Sequence, residues 1–220
     1  SGGALYVSFS PQLLLAIDTS TFSQNLATSI GGGAICALGG ASCSLDNVTC
    51  SFHVDRSNFI DNRAPKGSGG SILYEKSDGL LTYTNFIGTA RTDKQGLKCE
   101  SSRQNAKWGT SETTNSKKQG DSSTNMNNVE DQCNSRNMHA MQGGGISVRT
   151  AQSTLIMRHV LLKGLLASFG GGLYSAKSAT TKMNNATFLL NEAKFGGGMQ
   201  GVQSSSMDIV SSKMLQNYAS

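Results

Sequence analysis

Six times this chain writes two glycines, a small residue and then an apolar one. The set is Gly2-Gly3-Ala4-Leu5, Gly32-Gly33-Ala34-Ile35, Gly69-Gly70-Ser71-Ile72, Gly143-Gly144-Gly145-Ile146, Gly170-Gly171-Gly172-Leu173 and Gly196-Gly197-Gly198-Met199. At its tightest the unit recurs after 26 residues, and a fixed unit at that spacing is the signature of a stacked repeat. A flexible Gly/Ser linker does not keep aliphatic residues in register, so that alternative falls away.

A second block runs in step with the first. Phe22-Ser23-Gln24-Asn25-Leu26-Ala27 returns as Phe59-Ile60-Asp61-Asn62-Arg63-Ala64 and as Phe188-Leu189-Leu190-Asn191-Glu192-Ala193, with looser copies starting at Phe86, Leu162 and Met214. Five residues before each of these stands an apolar residue: Ile17, Val54, Leu81, Met157, Met183 and Ile209. Two before stand Ser20, Ser57, Thr84, Val160, Ala186 and Ser212. Polar residues fill most of the gaps, giving the in–out alternation of half-buried strands.

Short alternating strands separated by glycine and polar turns, one set per unit, predict an all-β parallel β-helix of about six coils. Coils stacked about 4.8 Å apart pile equivalent side chains into ladders. Leu5, Ile35, Ile72, Ile146, Leu173 and Met199 form one predicted core ladder; Phe22, Phe59, Phe86, Leu162, Phe188 and Met214 form another. Each is worth on the order of 10 kcal/mol before chain entropy is charged, so no coil folds alone. Asn25, Asn62, Asn191 and Asn217 fall where the chain turns, and an inward asparagine can satisfy turn backbone groups while bonding the asparagine of the next coil; Thr89 and Leu165 interrupt that ladder. The glycine pairs mark backbone of positive φ or a bend too crowded for a β-carbon.

The paired GGA-aliphatic and Phe-x-x-Asn tetrapeptides resemble the repeats of the chlamydial polymorphic outer-membrane proteins, and similar repeats occur in large surface proteins of other bacteria and of protists. Matches run from Gly2-Gly3-Ala4-Leu5 to Asn217, apart from the inserts. The resemblance implies a right-handed β-helix exposed at a cell surface and used in adhesion. Departures are the Gly-Gly-Gly variants, the degenerate Phe86 unit and the lack of a membrane-anchoring barrel in this stretch. The chain opens on one glycine block and closes before the next would come, so further coils or caps are expected on both sides.

Two stretches break the rhythm. A short Cys-containing insertion is expected at 36–51, where Cys36, Cys43 and Cys50 are spaced by seven residues, and a long hydrophilic one at 91–137, bracketed by Cys99 and Cys133. The long insertion carries fourteen of the chain's thirty-three charged residues and is the expected contact element. A Cys99–Cys133 disulfide would staple its base, and one pair among Cys36, Cys43 and Cys50 the short one; seven-residue gaps do not suit zinc, and no metal or cofactor is expected. Asn47-Val48-Thr49 and Asn185-Ala186-Thr187 are sequons, used only in a eukaryotic secretory pathway, with Asn185 the better candidate.

The net charge of +5 is dispersed and mixed in sign, with no aromatics alternating with basic residues, so nucleic acid is not an expected partner. Weak attraction to acidic polysaccharide fits the charge. No hydrophobic run is long enough to span a bilayer. The one candidate for catalysis is Asp18 with Asp55 at equivalent positions of adjacent coils, His53 on the same face and Arg158 further along the column. Stacked carboxylates raise a pKa, bind a cation or splay into water, and splaying is expected here; His139 and His159 read as surface residues. Neighbouring coils put Thr82 and Asn184 in that column, so no acidic groove continues. The sequence therefore reads as a non-catalytic extracellular adhesin or rigid spacer whose partners are proteins or surface glycans. The competing reading is a self-assembling subunit of a filament or sheath, and a polysaccharide-acting enzyme stands third.

Overall fold

Period-two alternation buries one face of each strand, and parallel stacking extends that face from coil to coil. The computed structural model of the chain describes residues 2–10, 13–29, 31–39, 43–44, 49–50, 52–88 and 139–219. The chain divides into two compact units, Ser1–Ala90 with Met138–Ser220, and Arg91–Asn137. All that follows concerns the described residues of the first unit, a parallel β-helix without α-helix.

Four parallel sheets form its sides. The first stacks Leu5–Ser8, Ile35–Leu38, Ile72–Glu75, Ile146–Arg149, Leu173–Ala176 and Met199–Gly201. The second stacks Leu15–Asp18, Phe52–Asp55, Gly79–Thr82, Thr154–Arg158, Thr180–Asn184 and Ser206–Val210. The third stacks Thr21–Ser23, Asn58–Ile60, Asn85–Ile87, Leu161–Lys163, Thr187–Leu189 and Lys213–Leu215. The fourth holds Ala64–Ser68, Ala140–Gln142, Leu166–Phe169, Glu192–Phe195 and Tyr218–Ala219, with Leu26 bridging to Arg63 in the first coil.

Register is kept across the stack. Leu5 pairs with Ile35, Ile35 with Ile72, Ile72 with Ile146, Ile146 with Leu173 and Leu173 with Met199. Phe22, Phe59, Phe86, Leu162, Phe188 and Met214 pair likewise, and the rings of Phe22, Phe59 and Phe86 stack at 4.9 and 4.8 Å. Interior rungs are fully buried, whereas Leu5, Phe22 and Met199 are half-buried and Met214 is exposed. Met214 was expected in the core; among the described residues its rung is covered from one side only.

The third coil is interrupted after Gly88 and resumes at His139. Ala140 still pairs with Ala64 below and Ala167 above, as loop-closure physics allows for an excursion that begins and ends at one corner. The short insertion does not begin at residue 36. Ile35–Leu38 is a regular strand of the first sheet, so Cys36 belongs to the coil. Cys36, Leu73, Ser147 and Tyr174 share one outward register position, yet all four are buried, so this sheet is dry on both faces there.

Two glycine roles are separable. Gly69, Gly143, Gly170 and Gly196 take φ between 61° and 71°, where a β-carbon is penalised. The second glycine of a block is needed for close approach: a β-carbon on Gly70 would collide with the Gly144 carbonyl oxygen of the next coil. No helix among the described residues is long and apolar enough to cross a membrane.

Candidate functional site

The corner between the second and third sheets projects a varied set of polar side chains. Residues i and i+2 of a strand share a face, so the last residue of each second-sheet strand points outward beside a turn. That register column reads Asp18, Asp55, Thr82, Arg158, Asn184 and Val210. The residue after each takes a left-handed conformation: Thr19, Arg56, Tyr83, His159, Asn185 and Ser211 have φ between 42° and 56°. Left-handed backbone is disfavoured for L-residues, and the corner offsets it with side-chain hydroxyls. Ser57 Oγ donates to the Asp55 carbonyl at 2.7 Å and accepts the Ser20 amide at 3.1 Å. Thr84, Ser20 and Ser212 hydroxyls donate to the carbonyl two residues back in the same way.

Asp18 and Asp55 occupy adjacent rungs, but they do not splay. Arg56 donates from Nη2 to Asp18 Oδ2 at 2.8 Å, and its Nε lies 3.0 Å from Asp55 Oδ2. The guanidinium clamps the two carboxylates, and its hydrogen bond, with a smaller one from Thr19, holds the Asp18 carboxyl below its ordinary value. Thr82 Oγ1 donates to Asp55 Oδ1, and His53 Nε2 stands 3.0 Å from the same hydroxyl. Both carboxylates are thus engaged as acceptors, an arrangement unlike a paired general acid and base, one of which must hold a proton. Arg158 is three rungs from Asp18 and takes no part in the clamp. Among the described residues no group of three or more His, Cys, Asp or Glu gathers as metal ligands.

Further up the corner, the Tyr83 and His159 rings stack at 4.7 Å and 4°. Asn185 Nδ2 donates to His159 Nδ1 at 2.7 Å. Tyr83 is 58% exposed. Sequence reasoning found His159 as a surface residue but not the stack, because Tyr83 and His159 lie 76 positions apart and become neighbours only through the interrupted third coil.

His139 is not a surface residue. It is 1% exposed and sits where the chain re-enters the coil, accepting the Leu166 amide on Nδ1 at 3.1 Å. Its Nε2 lies 3.8 Å from Asp61 Oδ1, too far for a hydrogen bond. Burial, with Arg63 adding repulsion, pushes its pKa down to about 4.

The asparagines bridge coils. Asn25 Nδ2 donates to Asn62 Oδ1 at 2.9 Å, and Asn62 Nδ2 to the Phe22 carbonyl. Asn191 Nδ2 donates to Asn217 Oδ1 and to the Leu162 carbonyl, while its Oδ1 accepts the Leu165 amide. Cys43 and Cys50 face each other as Cα partners in an antiparallel pair, Cys50 is disulfide-bonded, and Cys36 is a free, buried thiol whose pKa burial raises. Asn185 is exposed at its left-handed corner. Asn47, Cys99, Cys133 and the 91–137 insertion lie outside the described residues.

Residues 19–38 match the model of the Chlamydia polymorphic membrane protein repeat. The matched stretch runs from Thr19 through Phe22-x-x-Asn25 and Gly32-Gly33-Ala34-Ile35 to Leu38, one corner-to-side passage of the solenoid. No curated protein and no solved structure matches the chain.

Proposed function

We propose that this chain is a non-catalytic cell-surface β-helix that holds adhesive surfaces on a rigid stack of coils. The matched repeat is that of a Chlamydia polymorphic membrane protein, which supports reading the chain as a surface protein. The observation that carries the adhesive reading is the contrast between the two faces of the coil. Inward positions repeat, with Ile72, Ile146 and Leu173 in one ladder and Phe59, Phe86 and Phe188 in another. The outward corner column instead changes from acidic to hydroxyl to basic to amide over Asp55, Thr82, Arg158 and Asn184. A repeating interior with a variable exterior is what a scaffold for recognition needs, and the clamped Asp18–Asp55 pair argues against hydrolysis.

The test is saturable binding of the fluorescently labelled segment to cultured cells, measured by flow cytometry, alongside its mass in solution by light scattering. The adhesive reading expects a monomer whose cell binding falls when residues 91–137 are replaced by a short Gly/Ser linker. A segment that binds no cells saturably, or that polymerises with concentration, contradicts it; the second outcome would favour a subunit of a filament or sheath.

A further inference from the structure

We infer that the corner around Tyr83, Arg158 and His159 is a subsite for a carboxylated sugar, which names the ligand class for the adhesive surface proposed above and rests on that reading. Four features converge. Tyr83 is 58% exposed and has one face on His159, so its ring stands out from the corner as a fixed aromatic surface of the kind that pyranose C–H groups pack on. The Arg158 guanidinium, exposed on the next rung, has no hydrogen-bond or ion-pair partner among the described residues. Arg56, by contrast, is occupied by Asp18 and Asp55. His159, the residue after Arg158, is held in place by the Tyr83 ring on its face and by Asn185 at its Nδ1.

The fourth feature is room. Beside this corner the outer face of the second sheet bears a shallow concavity of about 270 Å³ lined by Ile156, Arg158, Lys182, Asn184, Asp208 and Val210. These residues form two outward columns, one of Ile156, Lys182 and Asp208 and one of Arg158, Asn184 and Val210. The lining mixes apolar Ile156 and Val210 with polar Arg158, Lys182, Asn184 and Asp208, the combination that a sugar's C–H face and hydroxyls require.

A guanidinium grips a planar carboxylate through two parallel hydrogen bonds, and one unpaired guanidinium suits one carboxylate. A densely sulfated chain would instead meet Asp208 in the concavity and Asp18 and Asp55 along the corner, whose charges oppose a high linear density of anions.

Titration calorimetry on the full 220-residue chain tests this with trigalacturonate and 3′-sialyllactose as carboxylated probes, methyl-esterified trigalacturonate and lactose as their neutral counterparts, and dextran sulfate. Arg158→Gln and Tyr83→Ala are compared with Lys66→Gln, an exposed charge on the fourth sheet, and thermal melting verifies that all three fold. The expected result is binding of a carboxylated probe over its neutral counterpart, weakened about tenfold or more by Arg158→Gln. Tyr83→Ala should weaken it too, and Lys66→Gln should leave it unchanged. Failure of both carboxylated probes to bind, equal binding of neutral counterparts, preference for dextran sulfate, or Arg158→Gln behaving like Lys66→Gln would each overturn the inference. Cell binding is measured on the same variants: adhesion that survives while the sugar site fails sinks this inference alone, whereas a wild-type chain that binds no cells sinks the adhesive reading as well.

Discussion

Gly79 shows how much one absent side chain can decide in a narrow core. It takes an inward second-sheet position between Phe52 and Leu155, and the space it leaves is filled by Tyr74 from the neighbouring side of the coil. A β-carbon at Gly79 would sit 2.2 Å from Tyr74 Cε1, and Phe52 flanks the same ring with centroids 5.5 Å apart. Gly79→Ala should therefore cost about 1–3 kcal/mol in urea unfolding. The Tyr74 hydroxyl is buried without a hydrogen-bond partner, so Tyr74→Phe should leave stability unchanged or raise it. A loss of more than about 1 kcal/mol in Tyr74→Phe would mean that the hydroxyl has a partner. His139 carries a pH signature. The unfolded chain takes up its proton near 6.5 and the folded chain only near 4, so stability falls as pH drops through that window and not below it. The loss is about 3 kcal/mol, and His139→Gln should flatten it; an unchanged pH profile in that variant would assign the acid sensitivity elsewhere. Neither Gly79 nor His139 announced this in the sequence. Gly79 lies outside the glycine blocks, and a lone histidine gives no sign that a coil will close over it.

At the level of elements, the corner between the second and third sheets explains what the spacing could and could not reveal. Glycine blocks locate one corner because only glycine fits there, and the resulting period made the parallel β-helix readable from the chain alone. The left-handed corner is filled by Thr19, Arg56, Tyr83, His159, Asn185 and Ser211, which share no residue type, so no motif marks it. The hydroxyl series that follows, Ser20, Ser57, Thr84 and Ser212, was visible as a column of small residues, but its hydrogen bonding needs the turn geometry. Ser57→Ala removes the acceptor of the Ser20 amide and should cost about 1 kcal/mol by urea denaturation, whereas a substitution of Val160 by alanine there loses only packing. Asn191 is more demanding, because it is fully buried and bonds the backbone of the preceding coil twice, at Leu162 and Leu165, and the Asn217 side chain of the following one. Asn191→Ala should cost about 3 kcal/mol, and a cost below about 1 kcal/mol would show that the asparagine bridges are incidental. Arg56 escaped notice for a different reason: its role depends on a left-handed backbone that swings the guanidinium back toward Asp18.

In the molecule as a whole, a scaffold is separate from what it carries. Coils are held by in-register ladders whose inner members are fully buried, so stability is shared along the stack and no rung stands alone. Such a stack tolerates the break after Gly88, because pairing resumes at Ala140 with coils on both sides. Its outer corners are then free to vary, and the Tyr83, Arg158 and His159 surface is one result. Core ladders and corner columns alike depend on the parallel register, and nuclear Overhauser contacts between backbone protons of different coils test it most directly. The expected result is cross-strand contacts linking Met157 to Met183 and Met183 to Ile209, with Phe86 linked to Phe59 and Leu162. Antiparallel contact patterns among these strands, or register shifted by one residue so that Met183 faces outward, would contradict it.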